Sequence, residues 1–396
     1  MTTRLMAGLG TDLQPTALGL ASISLVAIAG LARDKMALPL SRVHLLLLLC
    51  CLYSFLISFV HDSYSIQSFG NYTSLFVFSL FGFWTVRFGA LSISPILVSI
   101  GAWLLTGTVQ SYIDRQFGLQ LLFHSRTTSD RGVASLAAEP SYYGICCLFL
   151  LFSMQFFRTH TPSKQRVILI TEVLLVFQII LLAKSMFAIL GLVVWLFSSF
   201  ILKPNKSIKF TLGASFLFLI GGGAIVALGG ERLNKLMNGF FSNPLSLFKT
   251  DASANQRLSD IAGAVYGFLS QLPLAFGYGT NTWVAYQEEI GRISNFFWYG
   301  KSYRIMSGYG AAMFELGFVG LVIPITCFVS FWRHDCYRIR AIGISLSIVM
   351  FAAVPLALPM FSFLIGISEG ATFLNQRSRA LAVALSGIGK LDTLAT

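Results

Sequence analysis

The chain has 396 residues, of which 55% are hydrophobic and 11% are charged, with a formal net charge of +12. Soluble domains carry about a quarter charged residues, so this composition excludes an ordinary soluble protein. The apolar residues form runs that are long enough to cross a bilayer as helices, and backbone groups in lipid must be hydrogen-bonded within their own segment. The sequence therefore predicts an all-α, polytopic transmembrane helical bundle.

About eleven membrane spans are predicted, with a range of roughly ten to twelve. In chain order they cover approximately residues 15–31, 43–60, 73–90, 93–110, 141–157, 167–183, 186–202, 210–229, 307–332, 341–355 and 358–372. Pro355 and Pro359 leave open whether the last two spans are separate helices joined by a tight turn or one kinked helix. No cleavable signal peptide is predicted, because the first apolar run is as long as a span and lacks a small-residue cleavage site.

The orientation follows from short basic loops that all fall on one side of this arrangement. These loops contain Arg33, Lys35 and Arg42; Arg158, Lys164 and Arg166; Lys203, Lys206 and Lys209; and Arg333, Arg338 and Arg340. Such loops are normally cytoplasmic, which accounts for much of the positive charge without a nucleic-acid partner. The predicted organisation is a single membrane domain, 1–396, with external loops at 111–140 and 230–306. The second loop is too long to be a simple connector and contains a predicted helix over 255–270.

The external side carries more basic residues than short external loops normally do. They are Arg115, Arg126, Arg131, Lys184, Arg232, Lys235, Arg257, Arg292, Lys301 and Arg304. Solvent exposure, or pairing with Asp114, Asp130, Asp260 or Glu289, explains each of them singly. Because arginine binds phosphate in a bidentate fork, the set as a whole indicates a site for a lipid-linked phosphate or pyrophosphate. Lys184, between two spans with almost no loop, is either part of that site or reaches up to the lipid head groups.

The segment RGVASLAAEPSYYG, residues 131–144, leads into the fifth span. Pro140 suits the first turn of a helix, and Glu139 stands near the N-cap, where the helix dipole favours negative charge. Glu139 is therefore either a helix cap or a carboxylate of the site, able to act as a general base toward a sugar hydroxyl. Arg131 upstream and Tyr142 downstream are not explained by capping alone.

The loop 230–306 adds Arg257 on its predicted helix and the glycine turn Gly277-Tyr278-Gly279. Tyr309 lies at the mouth of the next span, and Glu315 lies inside that span, where it can pair with a neighbouring helix. Tyrosines at this depth either stack on sugar rings or sit at the lipid interface. All six cysteines lie in apolar runs or beside a basic loop, so neither a disulfide framework nor a metal site is predicted, and no cofactor is expected.

These motifs, taken in order, carry a resemblance to a known family. The motifs cover roughly residues 110–330. They are the external pattern "R…EPS-aromatic-aromatic-G", the tight turn "AKS", "RL…GYG" in the large loop and "Y…ELGFVGL" in the next span. This ordered set resembles bacterial polysaccharide (O-antigen and exopolysaccharide) polymerases of the Wzy type, within the O-antigen polymerase/ligase superfamily.

The resemblance implies a metal-independent glycosyltransferase of the GT-C type in the bacterial inner membrane. It would polymerise undecaprenyl-pyrophosphate-linked oligosaccharide repeats at the periplasmic face, with a chain-length regulator and a flippase as candidate partners. Glu139, Arg131 and Arg257 would be catalytic, and basic residues would hold and stabilise the leaving pyrophosphate. The remaining pyrophosphate- or substrate-binding candidates are Lys184, Arg126, Arg304, Tyr142, Tyr278 and Tyr309.

Two alternatives share much of this description. O-antigen ligases carry a histidine in the large external loop, and residues 230–306 contain none, which favours a polymerase. A transporter or flippase for lipid-linked or anionic sugars would share the spans and the cationic cavity. Transporters often contain inverted repeats, and no such internal symmetry is visible in this sequence.

Overall fold

A computed structural model of the protein describes residues 15–31, 40–63, 65–118, 132–204, 242, 252–294, 302 and 304–392. The regular secondary structure within these ranges is entirely helical, which confirms the predicted all-α class. The first seven helices are α1 (Pro15–Leu31), α2 (Arg42–Val60), α3 (Ile66–Arg87), α4 (Ser94–Tyr112), α5 (Pro140–His160), α6 (Gln165–Phe177) and α7 (Met186–Ile201). They are followed by α8 (Ala252–Ser270), α9 (Trp283–Ser294), α10 (Gly308–Leu316), α11 (Val322–Trp332), α12 (Tyr337–Ala352) and α13 (Pro359–Asp392).

In the part of the chain that the structure describes, three short segments depart from α-helical geometry. The 3₁₀ turn Pro162–Lys164 leads into α6. The π-helical segment Gln178–Ala183 continues α6 at its other end. A second 3₁₀ turn, Gly317–Leu321, joins α10 to α11. π-helical turns inside α-helices occur frequently at functional sites. The end of the α6 extension is therefore a candidate location for a functional site.

Long apolar helices make this a membrane protein. Within the described ranges, Arg42–Val60, Pro140–Thr159, Gln165–Ala183 and Gly308–Trp332 are each long and apolar enough to span a bilayer. Large apolar side chains such as Leu52 and Ile170 remain well exposed on these helices, as expected of surfaces that face lipid.

The predicted spans correspond closely to helices, with the exception of 210–229, which lies outside the described residues. The predicted helix over 255–270 is also confirmed, as α8. The two proline residues near the end of the chain separate two helices, since α12 ends at Ala352 and α13 begins at Pro359. The last helix runs much further than the predicted 358–372, because no proline follows Pro359 and the polar tail is rich in helix-forming Ala, Leu and Arg.

The core of the bundle is organised around α5, whose side chains are mostly buried. Phe149, Phe152 and Phe156 are fully buried on this helix, which contacts α6, α7 and α13. Helices α3 and α13 pack tightly against each other, and Gly82 and Gly366 let the two backbones touch: a Cβ at either position would collide with a backbone carbonyl of the facing helix. Small residues permit this kind of approach in membrane bundles.

Candidate functional site

Seven of the nine predicted site residues lie in the part of the chain that the structure describes; Arg126 and Arg131 lie outside it. The seven are Glu139, Tyr142, Lys184, Arg257, Tyr278, Arg304 and Tyr309. Four of them, Glu139, Lys184, Arg257 and Arg304, lie in or beside one charged region at the end of the bundle where α5 and α7 begin.

The segment 132–139 forms one side of this region and packs against the π-helical end of α6. Val133 donates its backbone N–H to the carbonyl of Leu182 at 2.9 Å. Gly132 lies directly against the backbone of Ala183, where a Cβ would collide with that carbonyl. A glycine is therefore required for the segment to reach the turn that carries Lys184.

A second set of contacts fixes the middle of the segment. Ser135 has a left-handed φ of 51°. Its N–H donates to Gln110 Oε1 at 2.6 Å, and Gln110 Nε2 donates back to its carbonyl at 3.0 Å. The Ser135 hydroxyl donates to the Trp103 carbonyl on α4 at 2.7 Å. Because all of these polar groups are buried and hydrogen-bonded, the segment has a defined path toward Glu139.

Glu139 occupies the N-cap position of α5, and Pro140 occupies the first turn, as predicted. The Glu139 side chain makes no capping hydrogen bond with the helix. Its carboxylate instead faces Arg257, with Oε1 4.0 Å from Nη2, and both side chains are largely buried. The capping interpretation therefore holds for the backbone position and for the favourable dipole, while the side chain is directed into the charged region.

Arg257 comes from α8, in the long loop that the sequence predicts to be external, and is 7% exposed. Its guanidinium carbon lies 4.3 Å from the centre of the Phe187 ring, in the first turn of α7. Arginine is suited to this position because its charge is delocalised and weakly hydrated, and its planar group stacks on aromatic faces. Arg257 thus joins the start of α5 and the start of α7 to α8.

Lys184 forms the turn between the α6 extension and α7, in a left-handed conformation with φ 47° and ψ 39°. Its side chain is exposed. The next residue, Ser185, caps α7 by accepting the N–H of Ala188 at 3.4 Å and donates to the Ser141 carbonyl of α5 at 3.3 Å. The turn that carries Lys184 is thereby held next to the first turn of α5.

Asp260 is a member of this region that the sequence interpretation treated only as a charge partner. It lies one helical turn after Arg257 and is fully buried. Its carboxylate accepts the Ser302 hydroxyl at 2.6 Å and the Met306 N–H at 3.2 Å. Asp260 therefore holds in place the loop that leads into α10.

Burial raises the pKa of the Asp260 carboxyl from 3.8 to about 7, while its two hydrogen bonds and the charges of Arg304 and Arg257 limit the rise. The charges of Arg304 and Arg257 thus both act on Asp260, and Arg257 also lies beside Glu139. The signal that could have identified Asp260 is its spacing: positions i and i+3 share one face of a helix.

The glycine turn 277–279 has a structural role. Tyr278 N–H donates to the Phe314 carbonyl at 2.9 Å, and Gly279 N–H donates to the Glu315 carbonyl at 3.1 Å. Gly277, with φ 94°, lies against the backbone of Glu315, where a Cβ would collide. The turn thus supplies donors to carbonyls at the break between α10 and α11, where non-helical backbone inside a membrane protein needs protein partners.

The three tyrosines lie in different surroundings. Tyr278 stacks on Phe314, with ring centres 4.7 Å apart, within a cluster of aromatic side chains formed by the external loop and α10. Tyr309 is 4% exposed in the main core, with its ring 6.2 Å from that of Phe361. Tyr142 is half-buried in the first turn of α5, three residues after Glu139.

Glu315 pairs with a neighbouring helix, as predicted. Its Oε2 accepts the hydroxyl of Tyr72 on α3 at 2.7 Å. A carboxylate inside an apolar helix is costly unless it is hydrogen-bonded. This contact gives it a structural explanation and sets it apart from the charged region.

The chemistry available in the region is that of an anion site. A buried guanidinium and an exposed ammonium group can bind phosphate oxygens, and carboxylates beside them can orient the basic groups or accept a proton. Among the described residues, no group of three or more His, Cys, Asp or Glu side chains is arranged to hold a metal ion.

Comparison with known proteins adds no assignment to this geometry. No known protein-family model matches the chain, and no curated protein matches it either.

Proposed function

We propose that this protein is a membrane glycosyltransferase that polymerises lipid-pyrophosphate-linked oligosaccharide repeats into a surface polysaccharide. The observation that carries the proposal is the approach of Arg257 to Glu139 at 4.0 Å, beside the Lys184 turn. These residues come from three distant parts of the chain, and all three were selected from the sequence for pyrophosphate and sugar chemistry. An ordinary helix end does not require such an assembly.

In the proposed reaction, a hydroxyl oxygen of the incoming repeat attacks the anomeric carbon of the growing chain. The bond between that carbon and the pyrophosphate oxygen breaks, and the electron pair leaves with undecaprenyl pyrophosphate. Arg257 and Lys184 stabilise the negative charge that develops on the leaving group. The hydroxyl proton passes to Glu139 or to a phosphate oxygen.

The proposal includes the finer features of the fold and the cellular setting. These are about eleven spans, a GT-C-like architecture, a periplasmic site in a bacterial inner membrane, and cooperation with a chain-length regulator and a flippase. Arg126, Arg131 and Arg304 would complete the cationic surface, with Tyr142 beside the sugar. In this proposal the site opens at the periplasmic end of the bundle, where a lipid-linked substrate and a water-soluble sugar chain can both reach it.

The test is to incubate the purified full-length protein with undecaprenyl-pyrophosphate-linked repeats and to resolve the products on a gel. The wild type should give a ladder spaced by one repeat. Arg257→Ala should reduce polymer by about a hundredfold or more, as removal of a transition-state donor does. Arg257→Lys should recover part of the activity, because it keeps the charge and loses the fork.

Arg166→Gln is the matched control, because Arg166 is an exposed basic residue at the start of α6, at the other end of the bundle. It should leave the ladder unchanged. A single transfer onto a different acceptor would mean that the protein is a ligase and not a polymerase. No product from well-folded wild-type protein would leave the transporter as the better description.

A further inference from the structure

A second cationic feature lies at the opposite end of the bundle. A cavity of about 540 Å³ opens among α5, α6, α7 and α12. It lies where α5 ends at His160, α6 begins at Gln165, α7 ends at Ile201 and α12 begins at Tyr337. The cavity is therefore separate from the charged region around Glu139 and Arg257.

The mouth of this cavity is positively charged. Among the described residues, its charged lining consists of Arg158, Lys203 and Arg338 and one carboxylate, Glu172. That carboxylate is already neutralised, since Arg158 Nη1 lies 2.9 Å from Glu172 Oε2 and Gln155 Nε2 lies 2.7 Å from its Oε1. Lys203 and Arg338 are thus left to set the charge at the opening.

The inner walls of the cavity are apolar. The lining includes Leu151, Val176, Leu196 and Phe200. These side chains can pack against hydrocarbon chains below a charged rim. Ser199 adds a buried hydroxyl that has no hydrogen-bond partner within the part of the chain that the structure describes.

Two aromatic residues mark the level of the rim. Trp195 lines the cavity and donates its indole N–H to the Arg338 carbonyl at 3.3 Å. Tyr337 also lines it, next to the Arg338 side chain. Trp and Tyr concentrate at the membrane–water interface, so the rim lies at the depth of lipid head groups.

We infer that this cavity binds an anionic phospholipid, with its phosphodiester at Lys203 and Arg338 and its acyl chains along the apolar walls. Basic pockets between membrane helices are a recurring site for such head groups. The mixed lining favours a lipid over a free anion, because most of the wall offers nothing to a hydrated phosphate ion. The inference does not depend on the proposed glycosyltransferase activity.

The test uses full-length protein in detergent micelles, titrated with phosphatidylglycerol or with phosphatidylcholine of the same acyl chains. Bound lipid is counted by native mass spectrometry. The wild type should retain phosphatidylglycerol about tenfold more tightly than phosphatidylcholine, since basic side chains near the surface attract anionic lipid. Lys203→Gln/Arg338→Gln should weaken phosphatidylglycerol binding by about thirtyfold, from about fivefold for each side chain.

The matched control is Lys164→Gln/Arg166→Gln, which removes two exposed basic side chains at the same end of the bundle, outside the cavity lining. It should change lipid binding by less than about threefold, because exposed charges outside the lining act on a bound phosphodiester only through screening solvent. A control effect as large as that of the test variant would mean a diffuse surface attraction and would overturn the inference.

The apolar walls are tested by Val176→Phe, which fills part of the cavity and leaves the basic rim intact. It should lower phosphatidylglycerol binding relative to the wild type. Excess inorganic phosphate should not displace the lipid. Equal retention of both lipids by the wild type, or displacement by inorganic phosphate, would each remove the assignment to an anionic lipid.

Discussion

The two ends of α5 each carry an ion pair, and the two pairs are built differently. Arg158 and Glu172 lie 2.9 Å apart, they join the consecutive helices α5 and α6, and the carboxylate also accepts a hydrogen bond from Gln155. Glu139 and Arg257 lie 4.0 Å apart and join the start of α5 to the distant helix α8. The helix separates the pairs by roughly 30 Å.

The difference separates a structural pair from a candidate binding pair. At 2.9 Å, with an extra donor on the carboxylate, the α5–α6 pair satisfies its buried charges within the fold. At 4.0 Å the second pair is too long for a hydrogen bond and interacts only through charge. A phosphate oxygen can therefore approach Arg257 without breaking a hydrogen bond between Arg257 and Glu139.

The largest effect is expected from Arg158→Ala, because this change leaves Glu172 buried and without its charge partner. It should lower the free energy of unfolding by about 3 kcal/mol, whereas Arg158→Lys should lower it by about 1 kcal/mol. Glu139→Ala should cost less than Arg158→Ala, since its pair is longer. Thermal unfolding of the purified variants in detergent measures all three, and equal losses for Arg158→Ala and Glu139→Ala would erase the distinction.

The path of the segment under Glu139 is tested by Gly132→Ala. The added Cβ collides with the Ala183 backbone, so the free energy of unfolding should fall by about 2 kcal/mol, and polymer formation should fall with it. Gly101→Ala in α4 is the control, because a Cβ there meets nothing within 4 Å. It should be neutral or stabilise by up to about 1 kcal/mol, so a similar loss in both variants would contradict the packing explanation.

Asp260 links α8 to the loop before α10, and Asp260→Asn should change how the free energy of unfolding depends on pH. The folded pKa of about 7 exceeds the ordinary 3.8. The native state therefore holds the proton more tightly than the unfolded chain does. This contribution to stability is complete below about pH 4 and is lost as the pH rises through about 7.

The stability advantage of the wild type over Asp260→Asn should consequently shrink by about 2 kcal/mol between about pH 5 and pH 8. Unfolding measured across that range provides the check. A constant difference between the two proteins would mean that Asp260 does not titrate there. Ser259→Ala, one residue away on the same helix, should show no such pH dependence.

The smallest effect is expected from Lys184→Gly. Glycine adopts the left-handed conformation of this turn without steric cost, so stability should rise by up to about 1 kcal/mol. Polymer formation should nevertheless fall if Lys184 binds pyrophosphate. Lys184→Arg retains the charge and should keep more activity than the glycine variant; full activity in Lys184→Gly would assign the side chain to the lipid head groups.

The sequence was sufficient to predict most of the helices because apolar runs and prolines act locally. Pro140 begins α5 and Pro359 begins α13, as their fixed φ favours, and the Lys184-Ser185 turn separates two helices where the hydrophobic pattern is interrupted. The association of Glu139 with Arg257 could be suspected from charge, but its distance depends on how the external loop folds back. The role of Asp260 depends on contacts with Ser302 and Met306 that no local pattern encodes.

The close packing of α3 against α13 has a consequence for biogenesis. The ribosome delivers α3 long before α13, so the face of α3 around Gly82 stays without this partner while the helices between them are inserted. The two helices can pack only after Gly366 has emerged and met this face. Chain termination anywhere before Pro359 would therefore leave an uncovered groove on α3.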